Sequence, residues 1–511
     1  MMNTVELQHI SKSFGSVQAL TDASIRLEGG QTHVLLGENG AGKTTLMRIL
    51  YGMMRPDSGK ILVNNKEVHF KHNRDAIDCG IGMVHQHFML VENMTVYENV
   101  AVGFEDETGL RLDKRKIIEK INELAQRLRF DIDPLAMVCD LTVGEKQRIE
   151  ILKTIYRHSK IIILDEPTAV LTPQEVEVLF EIIEILKAQG TSIVMITHKL
   201  KECLEIADRI SVMRDGRMIS TNMENRDLTP QILADLMVGR NVPLNVTQRS
   251  EVISPEIAVR VENLNYTVNG KKVLDNIGFY IAKGEIVGVA GIEGNGQREL
   301  QEALSGNLKP DTMDLYLYGE KVGGDTRAMI DKGIALVPED RLSTGLVPSL
   351  SICDNVVLGY HRAEKFATRH GFLRLKQWKQ FAKEAMGKFA VKAPSYRVPI
   401  GSLSGGNQQK VIIARVLSRE PRFAIFAQPT RGVDIGAIHN IHSRIFEYRD
   451  QGNAALVISA DLDEVRALAD HLIVMYEGKI VADGKSDDFT ELELGMLMLT
   501  GRLEKEGVKH E

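Results

Sequence analysis

The sequence predicts an α/β protein built as a tandem duplication of one domain. Three observations carry that prediction. First, the apolar run His33-Val34-Leu35-Leu36 meets a glycine-rich loop, Gly37 to Thr45, which runs into Leu46-Met47-Arg48-Ile49-Leu50. That is a buried strand, a phosphate-cradling loop and a helix start, in that order. Second, further apolar runs, Ile161 to Leu164 and Ser192 to Thr197, read as buried strands that end in polar residues. Third, segments of the first half return in the second. The loop Gly37 to Gly42 returns as Gly291 to Gly296, Gly80-Ile81-Gly82-Met83-Val84 as Gly333-Ile334-Ala335-Leu336-Val337, and Leu236 to Arg240 as Met498 to Arg502.

The duplication sets the domain boundaries at 1–241 and 257–511, joined by a short polar linker over 242–256 that contains Pro243 and Pro255. A length of 511 residues is too long for one ordinary core. A hydrophobic content of 43% and a charged content of 26% are those of a soluble globular protein. The net charge of −6 argues against a nucleic-acid partner. Cys79, Cys139, Cys203 and Cys353 are scattered without CxxC spacing, which speaks for a reduced compartment and against zinc. The N-terminus lacks the apolar core of a signal peptide, and no run reaches the length of a membrane span, so a membrane role has to come through a partner.

In chain order, residues 3–30 alternate apolar and polar residues, as a small antiparallel sheet does, with Ser11 to Gly15 expected as an interrupting loop. Phe14 is placed to stack on an adenine ring, or is a plain core or rim phenylalanine. The loop Gly37, Glu38, Asn39, Gly40, Ala41, Gly42, Lys43, Thr44 and Thr45 curls backbone N–H groups around phosphate oxygens. Lys43 reaches the β- and γ-phosphates and the Thr44 hydroxyl ligates Mg²⁺. Gln86, at a strand tip, is in place to touch Mg²⁺ or the attacking water. Residues 92–157 read as a charged helical subdomain, with an amphipathic helix opening at Leu141 to Arg148. Asp165 holds Mg²⁺ as an outer ligand, and Glu166 orients or deprotonates a water. His198, ending a strand, is either a γ-phosphate partner or structural.

Together these pieces resemble an ATP-binding cassette (ABC) ATPase. The order is Walker A (Gly37 to Thr45), Q-loop (Gln86), signature (Leu141 to Glu145), Walker B (Ile161 to Glu166) and switch histidine (His198). The second half carries a cleaner signature, Leu403-Ser404-Gly405-Gly406, with Val337 to Arg341 and Gln428 to Asp434. Two cassettes with these motifs resemble the fused ATPase subunits of bacterial sugar and nucleoside importers, and Gly82 to Val91 with Val143-Gly144-Glu145 resembles the nucleoside branch. The resemblance implies two tandem ABC-type P-loop domains, each a mainly parallel core sheet with an antiparallel β subdomain and a helical subdomain. It implies ATP and Mg²⁺ as cofactors, two membrane permease subunits, an extracytoplasmic solute-binding lipoprotein, and a place on the cytoplasmic face of the membrane.

Aligning the halves predicts one competent site and one degenerate one. Lys43 corresponds to Gln297, Thr44 to Arg298, Gln86 to Glu339, Asp165 to Ala427, Glu166 to Gln428 and His198 to Ala460. The signature bias is opposite, with Ser404, Gly405 and Gly406 intact in the second half. In such ATPases the cassettes close face to face. The resemblance therefore implies that Lys43, Thr44, Gln86, Asp165, Glu166 and His198 are completed by Ser404, Gly405, Gly406 and the D-loop residue Asp434. A soluble twin-cassette ATPase acting on ribosomes or DNA repair complexes is the alternative of another class, and a nucleotide-sensing regulator a third. A short linker and one degenerate site favour transport, of nucleosides first and of ribose- or galactose-type sugars second.

Overall fold

The computed structural model describes residues 4–15, 17–86, 88–103, 113–168, 171–239, 254–292, 294–359, 363–433 and 435–503. The chain divides into two units, Met1–Pro243 and Leu244–Glu511. Most of the expected linker, and Asp434, lie outside the described residues.

In the first unit β1 (Val5–Phe14) and β2 (Val17–Leu27) form a hairpin, and β3 (Thr32–Gly37) leads through the glycine-rich loop into α1 (Lys43–Leu50). Strands β4 (Ser58–Val63) and β5 (Lys66–Val68) return to the hairpin and make a four-stranded antiparallel sheet, β2-β1-β4-β5. The expected interruption at Ser11 to Gly15 is a correction: β1 continues to Phe14, because Lys12, Ser13 and Phe14 pair with Leu20, Gln18 and Val17. Register shifts absorb the irregular pattern that read as a loop.

There follow α2 (Asn73–Asp78), β6 (Ile81–Val84) and the helices of the helical subdomain, α3 (Val96–Ala101), α4 (Lys114–Leu128) and α5 (Val143–Tyr156). Then come β7 (Ile161–Asp165), α6 (Pro173–Ala188), β8 (Ser192–Thr197), α7 (Leu200–Ile206), β9 (Arg209–Arg214), β10 (Arg217–Glu224) and α8 (Pro230–Val238). The six-stranded core sheet runs β10-β9-β3-β8-β7-β6 and is parallel except for β9–β10. Every residue of β3, β6, β7 and β8 is buried, as strands covered on both faces require. Parallel pairing sends the C-terminal ends of β3, β6, β7 and β8 to one edge, where ligands of open α/β sheets bind. One apolar cluster joins both sheets through α1, whose Leu46, Met47, Ile49 and Leu50 are removed from water. Each such side chain contributes about 1.5–3 kcal/mol of transfer free energy.

The second unit repeats the plan: β11 (Ile257–Val268), β12 (Lys271–Ala282), β13 (Ile286–Ala290), α9 (Gln297–Leu304), β14 (Thr312–Leu317), β15 (Glu320–Val322), α10 (Thr326–Asp331) and β16 (Ile334–Val337). A single turn of π-helix over Arg341–Gly345 precedes α11 (Ile352–Val357), α12 (Leu375–Lys388) and α13 (Gly405–Leu417). The chain ends with β17 (Phe423–Ala427), α14 (Ile435–Asp450), β18 (Ala454–Ile458), α15 (Leu462–Leu468), β19 (His471–Tyr476), β20 (Lys479–Lys485) and α16 (Glu491–Thr500). Its sheets, β12-β11-β14-β15 and β20-β19-β13-β18-β17-β16, match those of the first unit strand for strand. No described helix is long and apolar enough to cross a membrane.

Candidate active site

The glycine-rich loop of the first unit is shaped by its close approach to the hairpin. Gly42, the N-cap of α1, has φ 101°, and a Cβ there would lie 2.7 Å from the Ala19 carbonyl oxygen. A residue with a side chain is excluded twice over, by conformation and by space. The loop leaves the backbone N–H groups at the start of α1 pointing toward any anion. Lys43 is buried, and its Nζ donates to the carbonyls of Gly37 at 2.7 Å and Glu38 at 2.9 Å. Burial lowers its pKa, against the charges of Glu166, Asp165 and Glu38.

Strand β7 delivers two carboxylates to this loop. Asp165 is buried and accepts the Thr44 hydroxyl at 3.2 Å, and burial followed by the Glu166 charge raises its pKa. Glu166 has φ 49°, in the left-handed region, and its N–H donates to the Ile196 carbonyl at 3.0 Å. One carboxylate oxygen, Oε2, accepts Gln86 Nε2 at 2.9 Å, and the other, Oε1, lies 3.3 Å from His198 Nδ1. Burial pushes the Glu166 pKa up, but the His198 hydrogen bond and charge, with Lys43 and Lys199, outweigh it and hold the carboxyl below its usual range. It is therefore ionised at neutral pH, the form a base needs. The shared partner of Gln86 and His198 was not foreseen from sequence, since the three residues are far apart in the chain.

Phe14 stands at the turn end of the β1–β2 hairpin opposite Val17 and is 47% exposed, with Lys12 Nζ 5.9 Å from its ring centroid. In the second unit the matching pair is Val268 and Lys271, so the aromatic is gone there too, a loss the sequence comparison missed.

The second unit keeps the backbone and changes the chemistry. Gln428 has φ 47° and its N–H donates to the Ile458 carbonyl at 2.7 Å, as Glu166 does to Ile196. Its Oε1 accepts the Ser459 hydroxyl at 3.4 Å. Gln297 Nε2 donates to the Ile292 carbonyl at 3.0 Å, while Arg298 turns outward to Glu302. Ala427 offers no carboxylate at the end of β17. Glu339, in the place of Gln86, pairs with Arg431.

The signature helices differ at their N-termini. In α13, Ser404 is the exposed N-cap and its Oγ accepts the Asn407 side-chain amide at 3.0 Å. In α5, Glu145 stands at the Asn407 position and forms a capping box with Thr142. The degenerate signature of the first half is legible in the sequence; the carboxylate on the helix end has its signal in the T-x-x-E spacing, which the motif comparison passes over.

The ABC transporter family model matches residues 20–169 and 274–431. This chain belongs to the ABC transporter ATPase family. Over 98% of both chains, the ABC ATPase is 41% identical to a nucleoside import ATP-binding protein of Lactococcus lactis. It is 40% identical to a guanosine import ATP-binding protein of Bacillus subtilis, covering 100% of this chain and 99% of the relative. A galactose/methyl galactoside import ATP-binding protein of Clostridium perfringens is 36% identical, over 96% of this chain and 94% of the relative. Among solved structures, an archaeal ribosome recycling factor in complex with a ribosomal stalk protein matches with a TM-score of 0.62, over 96% of this chain and 92% of that one. At 19% identity that likeness shows the ABC fold alone. The chain is thus an ATP-binding, ATP-hydrolysing protein of the import branch of this family.

Proposed function

We propose that this chain energises nucleoside import through a membrane ABC transporter, with one competent composite ATP site and one degenerate site. The observation that carries the site assignment is the ionised Glu166 carboxylate held by Gln86 and His198 beside Lys43, where the second unit has neutral Gln428 on the same backbone. In this reading, Gly37 to Thr45 cradle the phosphates and Phe14 stacks on the adenine. Glu166 takes a proton from the attacking water, and His198 and Gln86 hold its carboxylate in place. Ser404, Gly405, Gly406 and Asp434 complete the site from the second unit.

Mg²⁺ suits the donors present: the Thr44 hydroxyl and Asp165 carboxylate lie 3.2 Å apart, hard oxygen ligands of the type Mg²⁺ takes. Bound there with Gln86 nearby, the ion would neutralise charge on the β- and γ-phosphates. The second unit does not fit the ion, since Arg298 repels it and Ala427 has no ligand atom. The degenerate site accordingly binds nucleotide weakly or not at all and does not turn over.

The nucleoside assignment is supported by the names of the relatives at 41% and 40% identity. The partners in this reading are two permease subunits and, through them, an extracytoplasmic solute-binding lipoprotein. The chain lies on the cytoplasmic face of the membrane. The test is labelled solute uptake in cells lacking this chain, complemented with wild type or Lys43→Ala. Lys43-dependent uptake of nucleosides is the expected result. Uptake of ribose or galactose instead keeps the import ATPase and replaces the substrate. No Lys43-dependent uptake of any of these overturns the nucleoside reading and reopens the soluble one.

A further inference from the structure

The motifs Val337 to Arg341 and Gln428 to Asp434 have lost the groups that act on nucleotide, yet their side chains are tied together. Arg341 begins the π-turn after β16, which Asp340 pins by accepting the N–H groups of Leu342 at 2.8 Å and Ser343 at 3.0 Å. The half-buried guanidinium crosses to the loop after β17. There its Nη1 donates to the carbonyls of Arg431 at 2.8 Å and Gly432 at 3.3 Å. The Arg431 side chain returns to Glu339, so the two loops are joined in both directions.

The same guanidinium also meets the signature. A Cβ built at Gly405 would lie 2.8 Å from Arg341 Nη2, and one at Gly432 3.2 Å from it. Arg341 is therefore seated between two glycines, one in the first turn of α13 and one in the loop that leads to Asp434. A planar fork of donors fills such a slot, where an ammonium would engage one carbonyl and leave the other. In the first unit the residues at the Gly405 and Arg341 positions are Val143 and Phe88, and Gln86, at the Glu339 position, donates its amide to Glu166.

We propose that Arg341, braced by Glu339 and Arg431, is a positioning residue that holds the signature Ser404-Gly405-Gly406 and the adjoining loop in their ATP-receiving geometry, whatever occupies the degenerate site. This rests on the composite-site reading. The clamp is made wholly of the second unit's own groups.

The test is steady-state ATP hydrolysis by the full-length chain, with ATP affinity measured separately in a Glu166→Gln background and melting temperature recorded for each variant. Arg341→Ala is expected to lower kcat roughly tenfold or more, the scale of one lost charge-assisted contact at the reacting geometry. Its ATP affinity and melting temperature should stay near those of wild type, and Arg341→Lys should recover part of the rate. Glu339→Arg and Arg431→Glu should each lower kcat, and the double swap should restore most of it. Ser404→Arg tests the reading underneath. If it abolishes turnover while Arg341→Ala is unaffected, the clamp is overturned and the composite site stands. If Ser404→Arg turns over normally, both fall. A loss in Arg341→Ala that tracks its melting temperature, with no recovery in the swap, also overturns the clamp.

Discussion

Glu145 closes the N-terminus of α5 on itself: its Oε2 accepts both the backbone N–H and the hydroxyl of Thr142, each at 2.8 Å. A helix N-terminus favours an anion through its unpaired N–H groups and its dipole. Here that anion is the protein's own carboxylate, which repels a phosphate from the first unit's signature. In α13 the neutral Asn407 leaves the same helix end open. The asymmetry between the two signatures is thus one of charge as well as of glycine count.

Asn407→Glu follows directly. It gives α13 the S-x-x-E spacing of a capping box, so the helix should gain up to about 1 kcal/mol. On the proposed composite-site reading, turnover should fall at least tenfold, because the new carboxylate would repel a γ-phosphate from the α13 N-terminus. Opposite signs in melting temperature and ATPase rate are the expected pair. Unchanged turnover with the added stability would show that Ser404 and its helix end do not receive nucleotide.

Glu166→Gln should reduce turnover about 10²–10⁴-fold, the range for loss of a general base, while ATP binding persists. Gln428→Ala should change little. The reverse repair, Gln428→Glu, should create no second active site, because Arg298, Ala427 and Ala460 remain. Nucleotide counting gives an independent check. Two Mg·ATP bound per chain and both hydrolysed would refute the one-site assignment.

Phe14 is exposed at the hairpin end, so its removal costs little folding energy and its effect on nucleotide is readable. Phe14→Ala should raise the KM for ATP about five- to tenfold, the worth of one aromatic stack, with kcat at saturation nearly unchanged. Phe14→Tyr should behave as wild type. An unchanged KM in Phe14→Ala would return this residue to the hairpin rim.

Much of the site was legible because it is local in sequence. The glycine-rich loop, the β7 strand end and the tandem repeat each lie within a few consecutive residues, and β3, β7 and β8 follow the apolar runs closely. What the sequence hid depends on distance. Gln86 and His198 meet at Glu166 only because β6, β7 and β8 are parallel neighbours, and periodicity does not reveal strand order. Ser11 to Phe14 read as a loop because their polar side chains break the alternation, whereas pairing with β2 supplies the backbone partners that make them a strand. The Arg341 clamp joins loops 90 residues apart and has no local signal at all.

His33 lies inside β3, 2% exposed, with Nε2 2.8 Å from the Ser211 hydroxyl, which also accepts the Asn222 N–H. Burial, and then the Arg209 charge, lower its pKa from 6.5 to about 4. A histidine whose folded pKa is depressed stabilises the fold above its unfolded pKa, and that stability is lost as pH falls from 6.5 toward 4. Linkage puts the loss at about 2 kcal/mol by pH 5 and about 3 kcal/mol below pH 4. The aligned position in the second unit is Val287, so the effect belongs to the first unit. His33→Leu should be less stable than wild type at pH 7, by about 1 kcal/mol for the lost hydrogen bond. It should nevertheless lose less stability than wild type between pH 7 and pH 5 in the first unit's unfolding transition. Parallel pH profiles for the two proteins would mean that His33 is accommodated in its charged form, and the buried neutral assignment would fall.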